Sequence, residues 1–322
     1  MKLLVTGGAG YIGSVVTAQL LEAGHRVVVL DDLSTGHADS MPADVEFHKL
    51  SIHEVGSVLT PDAGFDGILH FAAKIAAGES VVRPDLYWDV NVRGSLALLA
   101  AARAAGTPRL IFSSTGSIYS TTRREPMTEE TPVDPPMPYA ASKLMVDQML
   151  AAEAHAFGLG AISLRYFNAA GAVGNLGERH DPETHLIPMV LQVAAGQRPA
   201  IALFGDDYDT PDGTCIRDYI HVADLASAHL LALDVAEPGQ HTIYNLGNGS
   251  GFSNLQVIEA VRRVTGHPVP VDVQPRRPGD WVMSVAASAK ARRELGWTPR
   301  RPGLDDIIAD AWAFHRRHVA AA

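Results

Sequence analysis

Through the first half of the chain, short apolar runs rich in β-branched residues alternate with longer helix-like stretches. KLLVT (2–6), RVVVL (26–30), VEFHKL (45–50), GILHFAA (67–73), RLIFSS (109–114) and GAISLRYF (160–167) read as strands. SVVTAQLLEAG (14–24), NVRGSLALLAAARAAG (91–106) and the run from Tyr139 to Phe157 read as crossover helices. Continuously apolar strands imply a sheet covered on both faces, and the alternation with helices implies a parallel one. After about residue 171 the pattern gives way to loops rich in Gly, Pro, Asn and Asp with shorter elements. This predicts an α/β chain with a nucleotide-type domain over 1–171 and a smaller, loop-rich substrate domain over 172–322. HTIYNLG (241–247) reads as a buried strand able to rejoin the first sheet.

Composition narrows the class. The chain has 322 residues, 47% of them apolar, which supports a sizeable core and one large or two unequal domains. Its 26 basic and 36 acidic residues give a net charge of −10, with no basic block suited to nucleic acid. The single cysteine, Cys215, excludes an intramolecular disulfide and fits a reducing compartment. Glycines interrupt MKLLVTGG too early for a signal peptide, and the most apolar stretch, SLALLAAARAAG, contains Arg103. A soluble, cytoplasmic protein is therefore expected.

VTGGAGYIGS carries Gly7, Gly10 and Gly13 between the first strand and the first helix. Glycines there permit a tight turn and bring backbone close to a pyrophosphate at the positive helix N-terminus. The second strand ends in Asp31 and Asp32, where a carboxylate can accept hydrogen bonds from the adenosine ribose and would repel a 2′-phosphate. A Rossmann-type, doubly wound sheet that binds NAD is expected. Ligands of such sheets sit at the C-terminal strand ends. FSSTGSIYS ends the fifth strand at that edge, and PPMPYAASK follows it.

Tyr139 and Lys143 lie four residues apart on the helix that begins there, so they share one face. A phenol needs roughly three pKa units of help, about 4 kcal/mol, to act as a base at neutral pH. A nearby ammonium is one source. Thr115 adds a hydroxyl at the strand end. Read alone, the pair also fits an ordinary amphipathic helix; beside a nicotinamide it forms a site for moving a proton and a hydride.

These residues resemble the extended short-chain dehydrogenase/reductase family, and more closely its UDP-glucose (UDP-galactose) 4-epimerase branch. The likeness runs from VTGGAGYIGS through HFAA, AGESV, FSST, YAASKLMVDQ, LRYFNAAGA, HLIP, DGTCIRDYIHVADLA, YNLGNG and PRRPGD to ELGW, nearly the whole chain. The resemblance implies that Thr115, Tyr139 and Lys143 are catalytic. It implies a cofactor site of Gly7, Gly10, Tyr11, Ile12, Gly13, Asp31, Asp32, Ser51, Ile52, Phe71, Ala72, Ala73, Asn91, Ser113, Tyr139, Lys143 and Phe167. Asn168, His185, Leu186, Phe204, Arg217, Tyr219, Arg277, Asp280 and Ser284 would then face the uridine, diphosphate and sugar. It further implies a redox-neutral cycle through a 4-keto sugar, with NAD kept bound, and a homodimer paired through helices 91–106 and 139–157.

Departures from the branch pattern are local. Ser51 stands where an Asp is usual before Ile52, Val90 where an Asn is common, and Ser120 where a Gly is usual; His185 replaces an Asn. Lys74 lies one place ahead of the usual lysine. Ser284, small where some relatives carry Tyr, is expected to admit N-acetylhexosamine nucleotides. Dehydrating or decarboxylating relatives need an acid just after the catalytic Thr or Ser; Gly116 and Ser117 occupy those positions. A non-catalytic dinucleotide sensor would be expected to lack the Tyr or the Lys. No metal site is expected: HExxH is absent, and the loop with Asp206, Asp207, Asp209 and Asp212 lacks EF-hand spacing.

Overall fold

Strands β1 (Lys2–Thr6), β2 (Arg26–Asp31), β3 (Glu46–Lys49), β4 (Gly67–His70), β5 (Arg109–Thr115) and β6 (Gly160–Tyr166) belong to one sheet, with His241–Leu246 as its seventh strand. The computed structural model describes residues 1–120, 125–277 and 279–319. The sheet order is His241–Leu246, β6, β5, β4, β1, β2, β3, and every neighbouring pair is parallel. The order reverses between β1 and β4, which opens a crevice at their C-terminal ends.

Each apolar run supplies two cores because successive side chains point to opposite faces. Leu3, Val5, Val27, Val29, Leu69, Ile111, Ile162 and Leu164 pack on one face with α1 (Tyr11–Glu22) and the helix Val222–Val235. Leu4, Val28, Leu30, Ile68, Leu110 and Phe112 pack on the other, with Leu98, Leu99 and Ala102 of the helix Gly94–Ala105 and Val146 and Leu150 of the helix Pro138–Phe157. The inner strands β1, β2 and β4 are largely apolar because both faces of the sheet are covered there, whereas the edge strand β3 carries exposed Glu46 and Lys49.

A third core holds the helices Leu186–Ala194, Asn254–Thr265 and Leu304–Val319 against the parallel pair Ile201–Phe204 and Val271–Gln274. The chain beyond 171 is shared between cores, since Val222, Leu225 and Leu246 pack with β1. Buried Asp218 ties the lobes at their seam: its carboxylate accepts the N–H groups of Asn248, Gly249 and Ala286 at 2.6, 3.1 and 3.0 Å.

One element differs in kind from expectation. The stretch 91–106 begins as a π-helical turn, Trp88–Arg93, before the α-helix Gly94–Ala105. Gly94 permits this close packing, because a Cβ there would lie 2.5 Å from Ile52 Cγ2. The Tyr139 helix begins at Pro138, a residue whose fixed φ and missing N–H suit the first helical turn.

Candidate active site

The glycine turn after β1 forms the floor of a cleft at the sheet's C-terminal edge. Gly7 has φ +75°, and a Cβ there would lie 2.5 Å from the Ala72 backbone nitrogen. Only glycine fits both the backbone and the gap. Gly10 caps α1 without a side-chain hydrogen bond, so the first-turn N–H groups are left to the cleft. Gly7, Gly10, Tyr11, Ile12, Gly13, Asp31, Asp32, Ile52, Phe71, Ala72, Ala73 and Ser113 all line this cleft. Its uncapped helix N-terminus and its acidic rim fit NAD.

Asp31 does more than face the cleft. Its carboxylate accepts the Ala9 N–H at 3.0 Å and the Leu33 N–H at 2.8 Å, bracing the glycine turn, and burial pushes its carboxyl up. Asp32 is exposed at the rim and accepts the Ser34 N–H.

Of the positions assigned to the cofactor, Ser51, Asn91, Tyr139, Lys143 and Phe167 are outside the residues that line the cleft. Ser51 caps the 3₁₀ turn Ile52–Ser57: its Oγ accepts the His53 N–H while its own N–H donates to Glu54. The wall beside it is made by Leu50 and Ile52. Asn91, in the π turn, is 2% exposed and clamps Lys74 at both ends of one residue, accepting its N–H at 2.7 Å and donating to its carbonyl at 3.0 Å. A third bond, Nδ2 to Ser142 Oγ at 2.9 Å, ties that clamp to the Tyr139 helix. Lys74 itself lines the cleft. The usual Asn position, Val90, also lines it.

Beside the cleft, burial raises the Tyr139 phenol's pKa, and the nearby Thr115 hydroxyl offsets this only in part. The Lys143 ammonium donates to the Ser113 carbonyl at 2.8 Å and lies 4.9 Å from the Phe112 ring centroid. Burial lowers it to about 8, with Asp147 acting the other way. Burial is the largest influence at Tyr139, and the Lys143 ammonium is held by the strand backbone at Ser113. Phe167 packs with Ile118, Tyr119, Met127 and Ala140, and its ring lies where a Cβ on Gly116 would be 2.6 Å away.

Buried support for this helix is absent from the sequence reading. Asp147, one turn beyond Lys143, accepts from Arg165 Nε and Nη2 at 3.0 and 2.8 Å and from Ser114 Oγ at 3.2 Å. Arg165 also donates to the Tyr119 hydroxyl at 3.0 Å, which donates to Asn245 on the returning strand at 2.6 Å. The chain of bonds crosses three strands under the site. No residue spacing marks it, because its members come from five separate segments.

A second pocket opens towards the third core. Asn168, His185, Leu186, Phe204, Arg217, Tyr219, Arg277 and Asp280 all line it, although they span more than a hundred residues of sequence. Asp280 stands between the two arginines, 3.2 Å from Arg277 Nε and 3.7 Å from Arg217 Nη2. The Arg277 guanidinium lies 4.4 Å from the Phe204 ring centroid. The two arginines offer charge-assisted donors suited to a diphosphate, beside the carboxylates of Asp280 and Glu178, and Phe204 gives an aromatic wall suited to a base. Ser284 is outside this lining; it is buried on the strand Met283–Ser284, in register with Arg217.

Between the two pockets runs a segment to which the sequence reading gave only His185. Glu178 and His185 line the second pocket and His180 the first. Hydrogen bonds among them outweigh burial, holding the Glu178 carboxyl below and the His185 imidazole above their usual ranges. The spacing E-x-H-x-x-E-x-H (178–185) was the available signal. Among the described residues no helix is long and apolar enough to cross a membrane.

The NAD dependent epimerase/dehydratase family model matches residues 3–247. UDP-glucose 4-epimerase of Streptomyces lividans is 54% identical over 98% of this chain and 97% of its own. That of Corynebacterium glutamicum is 52% identical over 98% of this chain and 95% of its own. The crystal structure of UDP-glucose-4-epimerase from Stenotrophomonas maltophila, with bound NAD and formylated UDP-arabinopyranose, superposes with a TM-score of 0.96 at 40% identity, covering all of both chains. The agreement extends from the glycine turn through both pockets to the last helix, and this chain belongs to the NAD dependent epimerase/dehydratase family.

Proposed function

We propose that this chain is an NAD-dependent UDP-glucose/UDP-galactose 4-epimerase. The observation that carries the reading is a dinucleotide-type cleft lined by Ser113, whose carbonyl accepts the Lys143 ammonium at 2.8 Å, together with a separate pocket lined by Arg217 and Arg277. NAD, held by the glycine turn, Asp31 and the Phe71–Ala73 wall, supplies a reversible hydride acceptor at the sugar's C4. Thr115 and Tyr139 hold the 4-hydroxyl, and the Tyr139 oxygen takes its proton and later returns it. Lys143, pinned to the Ser113 carbonyl, fixes the strand end beside the reacting carbon and supplies positive charge near the phenol. Arg217 and Arg277 grip the diphosphate while Phe204 and Leu186 flank the uracil. A nucleotide gripped at one end leaves the 4-keto sugar free to present its other face.

The test is to incubate purified protein with UDP-galactose without added cofactor and follow the anomeric proton signals by NMR. UDP-glucose is expected to appear until the two sugars reach a constant ratio. A keto or dehydrated product, or no change after NAD is supplied, would overturn the reading.

A homodimer paired through the helices Gly94–Ala105 and Pro138–Phe157 fits their exposed apolar residues Leu96, Met145 and Phe157, which are 51%, 42% and 60% exposed. Light scattering on a sizing column is expected to give twice the chain mass of 34.3 kDa, falling towards one mass in a Leu96→Glu, Met145→Glu variant. The free, buried Cys215 suits a cytoplasmic setting.

A further inference from the structure

We infer that Glu178, His180, Glu183 and His185 form a binding site for Zn²⁺ or a similar divalent transition-metal ion, lying between the two ligand pockets. One ligand atom from each of the four residues lies within 4.8 Å of all the others. Glu178 Oε1 is 2.9 Å from His180 Nδ1 and 2.5 Å from His185 Nδ1, and Glu183 Oε1 is 3.3 Å from His185 Nδ1. Tetrahedral zinc with bonds of about 2.0–2.1 Å has ligand-to-ligand edges of about 3.3–3.4 Å. The widest gap therefore needs to close by at most about 1.4 Å, while the 2.5 and 2.9 Å contacts of Glu178 open by about 0.4–0.9 Å as the ion takes the place of the shared protons.

The donor chemistry selects the ion. Two imidazoles and two carboxylates suit Zn²⁺, whereas Ca²⁺ and Mg²⁺ favour oxygen-rich sets. The two carboxylates are 9% and 5% exposed, so a dication would neutralise two buried negative charges. One ligand is already oriented: Glu183 Oε1 accepts the backbone N–H groups of Thr184 and His185 at 2.7 and 2.8 Å. Both ends of the segment are anchored as well. Glu178 follows the strand Leu176–Gly177, and His185 is the cap of the helix Leu186–Ala194. The ion displaces the protons that the imidazoles share with Glu178.

The position gives the ion a consequence. Arg179, within the segment, pairs with Asp39 at 2.6 Å and accepts at its carbonyl from His37 Nε2 at 3.0 Å, next to the loop at the cleft rim. A metal there would pin a strap that touches the cofactor cleft on one side and the nucleotide pocket on the other.

The experiment titrates untagged, chelator-treated and desalted protein with Co²⁺, following its visible absorption, and then with Zn²⁺. The expected result is the intense d–d bands of four-coordinate cobalt, saturation at one ion per chain, and displacement by zinc. His180→Ala and, separately, Glu183→Gln are expected to weaken binding roughly tenfold or more with unchanged far-ultraviolet circular dichroism. His155→Ala, at an exposed position on the helix Pro138–Phe157, serves as the control and is expected to bind as the parent does. Absence of the cobalt bands, or equal binding by the parent and both ligand variants, would overturn the proposal and leave the four residues as an ion-paired strap. The readout is independent of epimerase activity, so it stands or falls separately from the proposed function.

Discussion

Replacing Tyr139 by phenylalanine is expected to lower kcat by about 10²–10⁴-fold, the usual contribution of a positioned general acid–base group. The change is well suited to isolating chemistry from structure. The Tyr139 ring packs edge-on to Tyr87, with centroids 6.4 Å apart at 82°, and phenylalanine keeps that contact. Thr115 Oγ1 is not left without a partner, because it still accepts from the Ser117 N–H at 3.1 Å. NAD content and UDP binding should therefore stay near the parent values while turnover collapses. NMR of UDP-galactose conversion, with NAD measured on the released cofactor, checks both halves. A variant that kept more than about a tenth of the parent kcat would remove Tyr139 from the proton-transfer role.

The second large effect is on stability. Asp147→Ala is expected to cost about 3–5 kcal/mol, because it strands a guanidinium in the interior. Arg165 and Asp147 are 4% and 3% exposed, so water cannot replace the lost partner. The Tyr119 hydroxyl alone would remain as Arg165's polar contact. Breaking a buried pair is costly even where the intact pair adds little, since the remaining charge is uncompensated. The double variant Asp147→Leu, Arg165→Met, which removes both charges, is accordingly expected to recover most of the loss. Guanidinium chloride midpoints at fixed NAD concentration, with slopes compared between variants, are the measurement. A loss below about 1 kcal/mol for Asp147→Ala would show that the network under the Tyr139 helix carries little of its stability.

Much of the site could be anticipated because it is local. The glycine turn, Asp31 and Asp32 at the end of β2, and the four-residue spacing of Tyr139 and Lys143 are each set within a few residues by backbone geometry. The resemblance extended this to Arg217, Arg277, Asp280 and Phe204, which do meet in one pocket. It assigned Ser51 and Asn91 to the cofactor, and the structure adds that one caps a helical turn and the other clamps Lys74. A residue type at a familiar position does not reveal which neighbour takes its hydrogen bonds.

What the sequence determined by itself was the alternating architecture, the returning strand His241–Leu246, the cleft-lining glycines and the shared face of Tyr139 and Lys143. Their common cause is short-range: period-two burial in strands, i to i+4 stacking in a helix, and the backbone freedom of glycine. Only the tertiary structure decided the partner of Lys143, the buried Asp147–Arg165 pair and the gathering of Glu178, His180, Glu183 and His185. Each of those depends on desolvation, or on the angle at which packed segments cross. Burial pushes the Tyr139 phenol up, an influence the spacing does not carry, because the low-dielectric surroundings of a side chain are made by residues distant in sequence.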